Sequence, residues 1–255
     1  MRQPVGSPFP MRHAKTGCKL SRPPMTTNLR IATYNLQKCI GMDMRRRPDR
    51  SMQVIDALQA DLVVLQEVDK RLPPRPAALP HDLIETHGWQ ALPFGQPGGS
   101  LGWHGNAMLI RDGLNPLHTS RLDLPGLEPR GAILAEFETT IGPLRVIGVH
   151  LGLIRRFRLM QLMAITRELR RRPVMPTLIA GDFNEWGPKA ALDAATPGLD
   201  FADPGHSFPA PRPVAALDSF AHSSDLRVLR SGIHRARPAA SASDHLPAWA
   251  EFTPA

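Results

Sequence analysis

The stretch LIAGDFNEW, residues 178 to 186, constrains this chain more than any other. Leu178, Ile179 and Ala180, approached from Thr177, are the apolar run of a buried strand. The run breaks at Gly181 and delivers Asp182 and Asn184 with Phe183 between them. Side chains alternate across an extended backbone, so Asp182 and Asn184 are expected on one face and Phe183 in the core. Aspartate is disfavoured in strands. A turn is the simplest reason for Gly, Asp and Asn together. A carboxylate beside an amide at the carboxyl end of a buried strand also stands where α/β sheets present their chemistry. The rest of the chain favours the chemistry.

With 255 residues, 42% hydrophobic and 21% charged, the chain is expected to form one large core of sandwich or α/β type. No apolar run approaches the roughly 20 residues that cross a bilayer. Cys18 and Cys39 are too few for a disulfide framework, which suits a reducing cytoplasm. The formal charge of +8 is unevenly placed. Residues 1–28 hold Arg2, Arg12, Lys15, Lys19 and Arg22 and no acid, and removing those five leaves 26 basic against 23 acidic residues. This basic leader has no 7–15-residue apolar stretch of a secretory signal. Its Pro, Gly and basic content reads as disordered, with Met25 as an alternative start. The arginine runs 45–47 and 170–172 read as solvated faces.

One arrangement then recurs from residue 29 to residue 253. LRIATYN ends in Asn35, and a helix opened by Pro48 follows, with Met52, Ile55 and Leu58 at helical spacing. DLVVLQEVD ends in Glu67. A strand–helix–strand path brings Asn35 and Glu67 to one sheet edge if the two strands are parallel. Residues 71–104, rich in Pro and Gly, read as a long loop holding His81, His87 and His104 as surface residues. Further strands are HGNAMLIRD with Asn106, GAILAEFE, and GPLRVIGVHLG closing on His150. A helix from Arg155 to Pro173 leads into the strand of Asp182. KAALDAA reads as a helix, ALDSFAH as a weak strand holding Asp218, and Asp244 with His245 precedes a terminal strand.

An apolar strand whose end supplies a polar group thus appears several times over. Carboxylates, amides and imidazoles without cysteine match a hard-cation site rather than a zinc thiolate site. The motifs TYN, LQEVD, GNAMLI, VHLG, GDFNEW, LD and SDH, in this order and spacing, resemble the endonuclease/exonuclease/phosphatase superfamily. The resemblance implies a DNase I-like four-layer α/β sandwich, two packed mixed β-sheets flanked by helices. It implies Mg²⁺ (or Mn²⁺) held by Glu67, with Asn35 and Asp244 helping directly or through water. Asp182 would orient or deprotonate the attacking water, and Asn184 would help position the phosphate. His150 and Asn106 would bind phosphoryl oxygens, as would Asn35 and His245. Asp218 and His245 would form a carboxylate–imidazole pair, with Asp182 and His245 both catalytic and unranked. Asp218 is followed by Ser219 and Phe220, where the family commonly has a basic residue and then Ile or Tyr, so it is the least secure transfer.

The implied activity is metal-dependent phosphoester hydrolysis by in-line attack of water, by a cytoplasmic monomer. The substrate is open among nucleic acid, lipid headgroup and small molecule. A basic, partly aromatic surface would favour DNA, but residues 29–255 carry only the slight basic excess above, and aromatic content is 5%. A generic phosphodiesterase or phosphatase therefore comes first, a DNA endonuclease or exonuclease second. A non-catalytic phosphate or nucleic-acid binding module is the third reading. Trp89, Phe94 and Trp103 are the candidates for lipid contact.

Overall fold

The computed structural model describes residues 28–70 and 74–255. The leader, with Cys18 and Met25, lies outside the described residues. In chain order the elements are β1 (Leu29–Asn35), α1 (Pro48–Ala57), β2 (Leu62–Gln66), α2 (His81–Thr86), β3 (Gln90–Ala91), β4 (Ala107–Ile110), β5 (Asn115–Leu124) and β6 (Arg130–Thr139). They continue with β7 (Gly142–His150), α3 (Arg155–Leu169), β8 (Thr177–Asp182), β9 (Leu199–Ala202), β10 (Asp218–Ser223), β11 (Leu226–Ile233), α4 (Ala239–Ala242) and β12 (Ala248–Pro254). Two six-stranded sheets result, ordered β11-β12-β1-β2-β4-β3 and β5-β6-β7-β8-β10-β9. Each holds one parallel pair, β1 with β2 and β7 with β8, joined through α1 and α3, and every other pairing is antiparallel.

Three apolar clusters divide the layers. Leu29, Ile31, Leu62 and Val64 of the first sheet meet Leu144, Val146, Leu178, Ala180 and Phe220 of the second in one buried cluster. The opposite faces, Ala32, Tyr34, Val63 and Leu65, pack on Met52 and Ile55 of α1. Ile147, Ile179 and Phe183 pack with Leu162 and Ile165 of α3. Helices therefore cover the outer face of each sheet, giving four layers. Complete burial of such a side chain contributes roughly 1.5–3 kcal/mol.

This alternation positions the functional end. Asn35 has the strand parity of Leu29 and Ile31, and His150 that of Leu144 and Val146. Asp182 follows Leu178 and Ala180, and Asp218 precedes Phe220. All four polar groups continue inter-sheet faces past the point where apolar packing stops. Gly148 lets the sheets approach there, because a Cβ would lie 2.8 Å from Val64 and Ile133. Gly181, at φ +153°, leaves room for the Val149 carbonyl, which a Cβ would meet at 2.0 Å.

Several sequence expectations need correction. Residues 71–104 are not one loop, since α2 and β3 lie within them. Trp89 and Phe94 are buried there, and Trp103 is half-buried with its indole N–H donating to the Leu122 carbonyl, so none is a free lipid contact. The helix expected to reach Pro173 ends at Leu169, and Arg171 and Arg172 continue it only as tighter turns onto Glu168 and Leu169. KAALDAA is a 3₁₀ segment, Lys189–Ala195. The strand holding Asp218 is regular, paired residue for residue with β8 from Asp218–Asp182 to His222–Leu178.

Candidate active site

One carboxylate oxygen is the focus of the site. Asp182 is almost fully buried at the end of β8, and its Oδ2 accepts a hydrogen bond from Asn35 Nδ2 at 3.2 Å. His150 Nε2 lies 3.4 Å from the same oxygen and His245 Nε2 3.9 Å from it. These groups come from β1, β7, β8 and the loop before β12, so both sheets contribute. Oδ1 of Asp182 accepts the Asn184 backbone N–H at 2.9 Å, and Asn184 has φ +52°. The turn and the chemistry therefore coexist, because one carboxylate oxygen closes the turn while the other faces the cleft. Strict alternation consequently stops before Asn184, whose amide donates to the Leu151 carbonyl at 2.9 Å.

His245 is held from behind. Its Nδ1 lies 2.7 Å from Asp218 Oδ2, which also accepts the Ser207 hydroxyl at 2.6 Å. Asp218, the least secure residue of the sequence reading, is completely buried. Burial alone would lower the His245 imidazole. The charges of Asp218, Asp182 and Asp244 and the Asp218 hydrogen bond outweigh it and push His245 up to about 10. At His150 burial wins over Asp182, with Arg130, His245 and Lys38 adding to it, and the imidazole falls to about 3. At neutral pH the two histidines are thus a cation and a neutral ring.

The opposite wall is looser. Glu67, at φ +53°, is about a quarter exposed and forms an ion pair with Lys38. Asp244 is pushed above the usual carboxylate range by burial, with His245 pulling it down and the charge of Glu67 adding to the rise. A cleft of about 520 Å³ opens between Lys38, Glu67, Arg75, Arg130, His150 and Leu153. A cavity of similar size under α3, lined by Met160, Met163 and Pro197, contains none of these groups.

Asn106 does not converge with the rest as a donor. Both of its amide hydrogens go to backbone carbonyls, Gly131 at 2.9 Å and Trp103 at 3.3 Å, and its oxygen is buried without a partner. Of the three loop histidines, His81 is exposed, His87 Nδ1 contacts Asp56 at 2.5 Å, and half-buried His104 contacts Asp123 at 3.6 Å. Sequence reasoning missed Lys38, Ser207 and Ser243. The Ser243 hydroxyl donates to the Asn35 carbonyl at 2.7 Å and so ties the His245 loop to β1. Its place in SASDH was a usable signal, whereas Ser207 in a Pro-rich loop offered none. Among the described residues no group of three or more His, Cys, Asp or Glu is arranged to hold a metal.

The sequence profile described as the Endonuclease/Exonuclease/phosphatase family matches residues 32–245. The chain belongs to that family. It is 28% identical over 210 residues to the uncharacterized protein YbhP of Escherichia coli, covering 75% of this chain and 83% of YbhP. A functionally unknown conserved protein from Enterococcus faecalis superposes with TM-score 0.71 at 22% identity, over 89% of this chain and all of the other. A mannosyl-6-phosphatase of Bacteroides thetaiotaomicron superposes with TM-score 0.70 at 19% identity, over 88% of this chain and 99% of its own. Like other members of the family, this chain packs two mixed sheets face to face, with helices outside.

Proposed function

We propose that this family member is a divalent-metal-dependent phosphoester hydrolase. The observation that carries the reading is the convergence of Asn35, His150 and His245 on one oxygen of Asp182, with Asp218 behind His245. Such a set can orient a water and donate hydrogen bonds to phosphoryl oxygens in the same space. Family membership and the likeness to a sugar-phosphate phosphatase support the same chemistry.

The residues present fit Mg²⁺ or Mn²⁺. Glu67 and Asp244 are two oxygen-donor carboxylates, near enough for the charge of Glu67 to raise the proton affinity of Asp244, and an ammonium already rests on Glu67. Mg²⁺ needs only one or two carboxylates and keeps other positions for water and phosphate. Glu67 and Asp244 would hold the cation. Asn35, whose amide is engaged by Asp182, would reach it only through its oxygen or through water. When bound, the cation neutralises charge on the phosphate and its leaving oxygen.

The chain's own residues do the rest. Asp182 orients the attacking water and accepts its proton. Asn35 positions Asp182. His245, fixed through Nδ1, presents Nε2 to the phosphate oxygens, and neutral His150 donates a second hydrogen bond. Asn184 shapes the turn and supports the phosphate site through Asp182 and Leu151.

Hydrolysis of bis(p-nitrophenyl) phosphate should require Mg²⁺ or Mn²⁺ and stop with EDTA. Glu67→Gln should lower turnover at least 100-fold at fixed metal and weaken Mn²⁺ binding in calorimetry. Full turnover in EDTA, or an unchanged Glu67→Gln enzyme, would refute the proposal.

A further inference from the structure

Twelve large apolar side chains are exposed among the described residues, and seven lie in loops at the catalytic end. Strand directions fix that placement. β1, β7, β8 and β9 run toward this end, while β6 and β10 run from it. Met42 and Met44 follow β1, Leu127 joins β5 to β6, and Leu153 with Ile154 follows β7. Trp186 follows β8, and Val214 precedes β10.

The charges on the same loops are one-sided. In residues 36–47, 125–129, 151–156, 183–188 and 203–217 the exposed charged groups are six arginines and two aspartates. The arginines are Arg45, Arg46, Arg47, Arg155, Arg156 and Arg212. Of the acids, Asp43 is already taken by two bonds from Arg50, at 2.9 and 3.0 Å, and of the arginines Arg47 is paired with Asp49 at the start of α1, at 3.0 Å. The catalytic end is thus an apolar rim interleaved with cations. Leu153 continues the rim into the cleft beside His150.

This combination separates two anionic partners. A single-stranded nucleic acid asks for planar side chains on which bases stack, and a duplex is held through its phosphates, which leaves exposed aliphatic side chains unused. Here the exposed groups are aliphatic or thioether except Trp186, whose ring stands edge-on to Phe208 at 5.8 Å. A bilayer surface asks for apolar side chains that enter the acyl boundary and cations that meet anionic headgroups. Arginine suits it further because its stem lies along apolar surface while its head stays wet.

We propose that the catalytic end docks on an anionic lipid bilayer, which makes a lipid-borne phosphoester the substrate class of the cleft. The substrate half rests on the hydrolytic reading above, and the docking half stands without it.

The test is sedimentation of the full chain with vesicles of phosphatidylglycerol and phosphatidylcholine, against pure phosphatidylcholine and against a single-strand DNA gel shift. Binding to the anionic vesicles is expected. Leu127→Ser/Ile154→Ser should weaken it at least tenfold, while the melting temperature and bis(p-nitrophenyl) phosphate hydrolysis stay unchanged. Met163→Ser/Val174→Ser, away from this end, should bind as wild type. Failure to sediment, equal loss in both double variants, or binding to DNA without vesicle binding would overturn the docking surface. Vesicle binding by a protein that hydrolyses no phosphoester would support the docking surface and remove the substrate assignment.

Discussion

The two walls of the cleft are built differently. On the second-sheet side Asp182, His150 and Asp218 are buried, and each sits at a strand end within short reach of a fixed partner. On the first-sheet side Glu67 is partly exposed on a positive-φ residue, Asp244 is in a loop, and a lysine pairs with Glu67. In the proposed hydrolysis, the groups aimed at the phosphorus are set before substrate arrives, which avoids reorganisation during the reaction. The groups proposed to take up a hydrated cation keep solvent access and a displaceable counter-charge. Rigidity and openness are thereby assigned to opposite walls.

The strongest way to break this contrast is at the rigid wall. Asp182→Asn should lower turnover on bis(p-nitrophenyl) phosphate at least 1,000-fold, about 4 kcal/mol of transition-state stabilisation, with an unfolding midpoint near wild type. A variant retaining full activity would remove Asp182 from the chemistry.

A smaller effect should appear in stability against pH. His150 is held at about 3 by burial, so below its ordinary value of 6.5 the unfolded chain takes a proton that the native protein refuses. Stability present above pH 6.5 is therefore lost as pH falls, by up to roughly 1.4 kcal/mol per pH unit. His245, raised rather than lowered, is protonated in both states below 6.5 and adds nothing to that slope. His150→Gln should flatten the fall in melting temperature between pH 6.5 and 5. An unaltered slope would show that His150 is not buried neutral.

The smallest change is expected at the open wall. Lys38→Met removes the ammonium on Glu67 and should tighten Mn²⁺ binding a few-fold, measured by calorimetry without substrate. Unchanged or weaker affinity would mean that the lysine does not compete with the cation.

What was legible in the sequence follows from burial. β1, β2, β7 and β8 lie inside their sheets and read as apolar runs, so the ends carrying Asn35, His150 and Asp182 could be located. The edge strands β3, β5, β9 and β11 were not recognised. Each is paired on one side only, β5 is largely exposed and β11 mostly half-buried, so no apolar run marks them. In the site, residues on strand ends were found, whereas loop residues defined by what they touch were not. Ser207 shows this most clearly, since its importance lies wholly in the 2.6 Å contact with Asp218. Asn106 is the converse. Its motif was recognisable, but its amide hydrogens are spent on backbone carbonyls.

Because the reactive groups share strand parity with the inter-sheet face, position along the chain and orientation in space are locked together. Inserting or deleting one residue within β7, β8 or β10 would turn His150, Asp182 or Asp218 toward the helices and drive an aliphatic neighbour into the cleft. A one-residue slip in these strands therefore costs the site its geometry, whereas a substitution in place leaves the neighbouring groups where they stand.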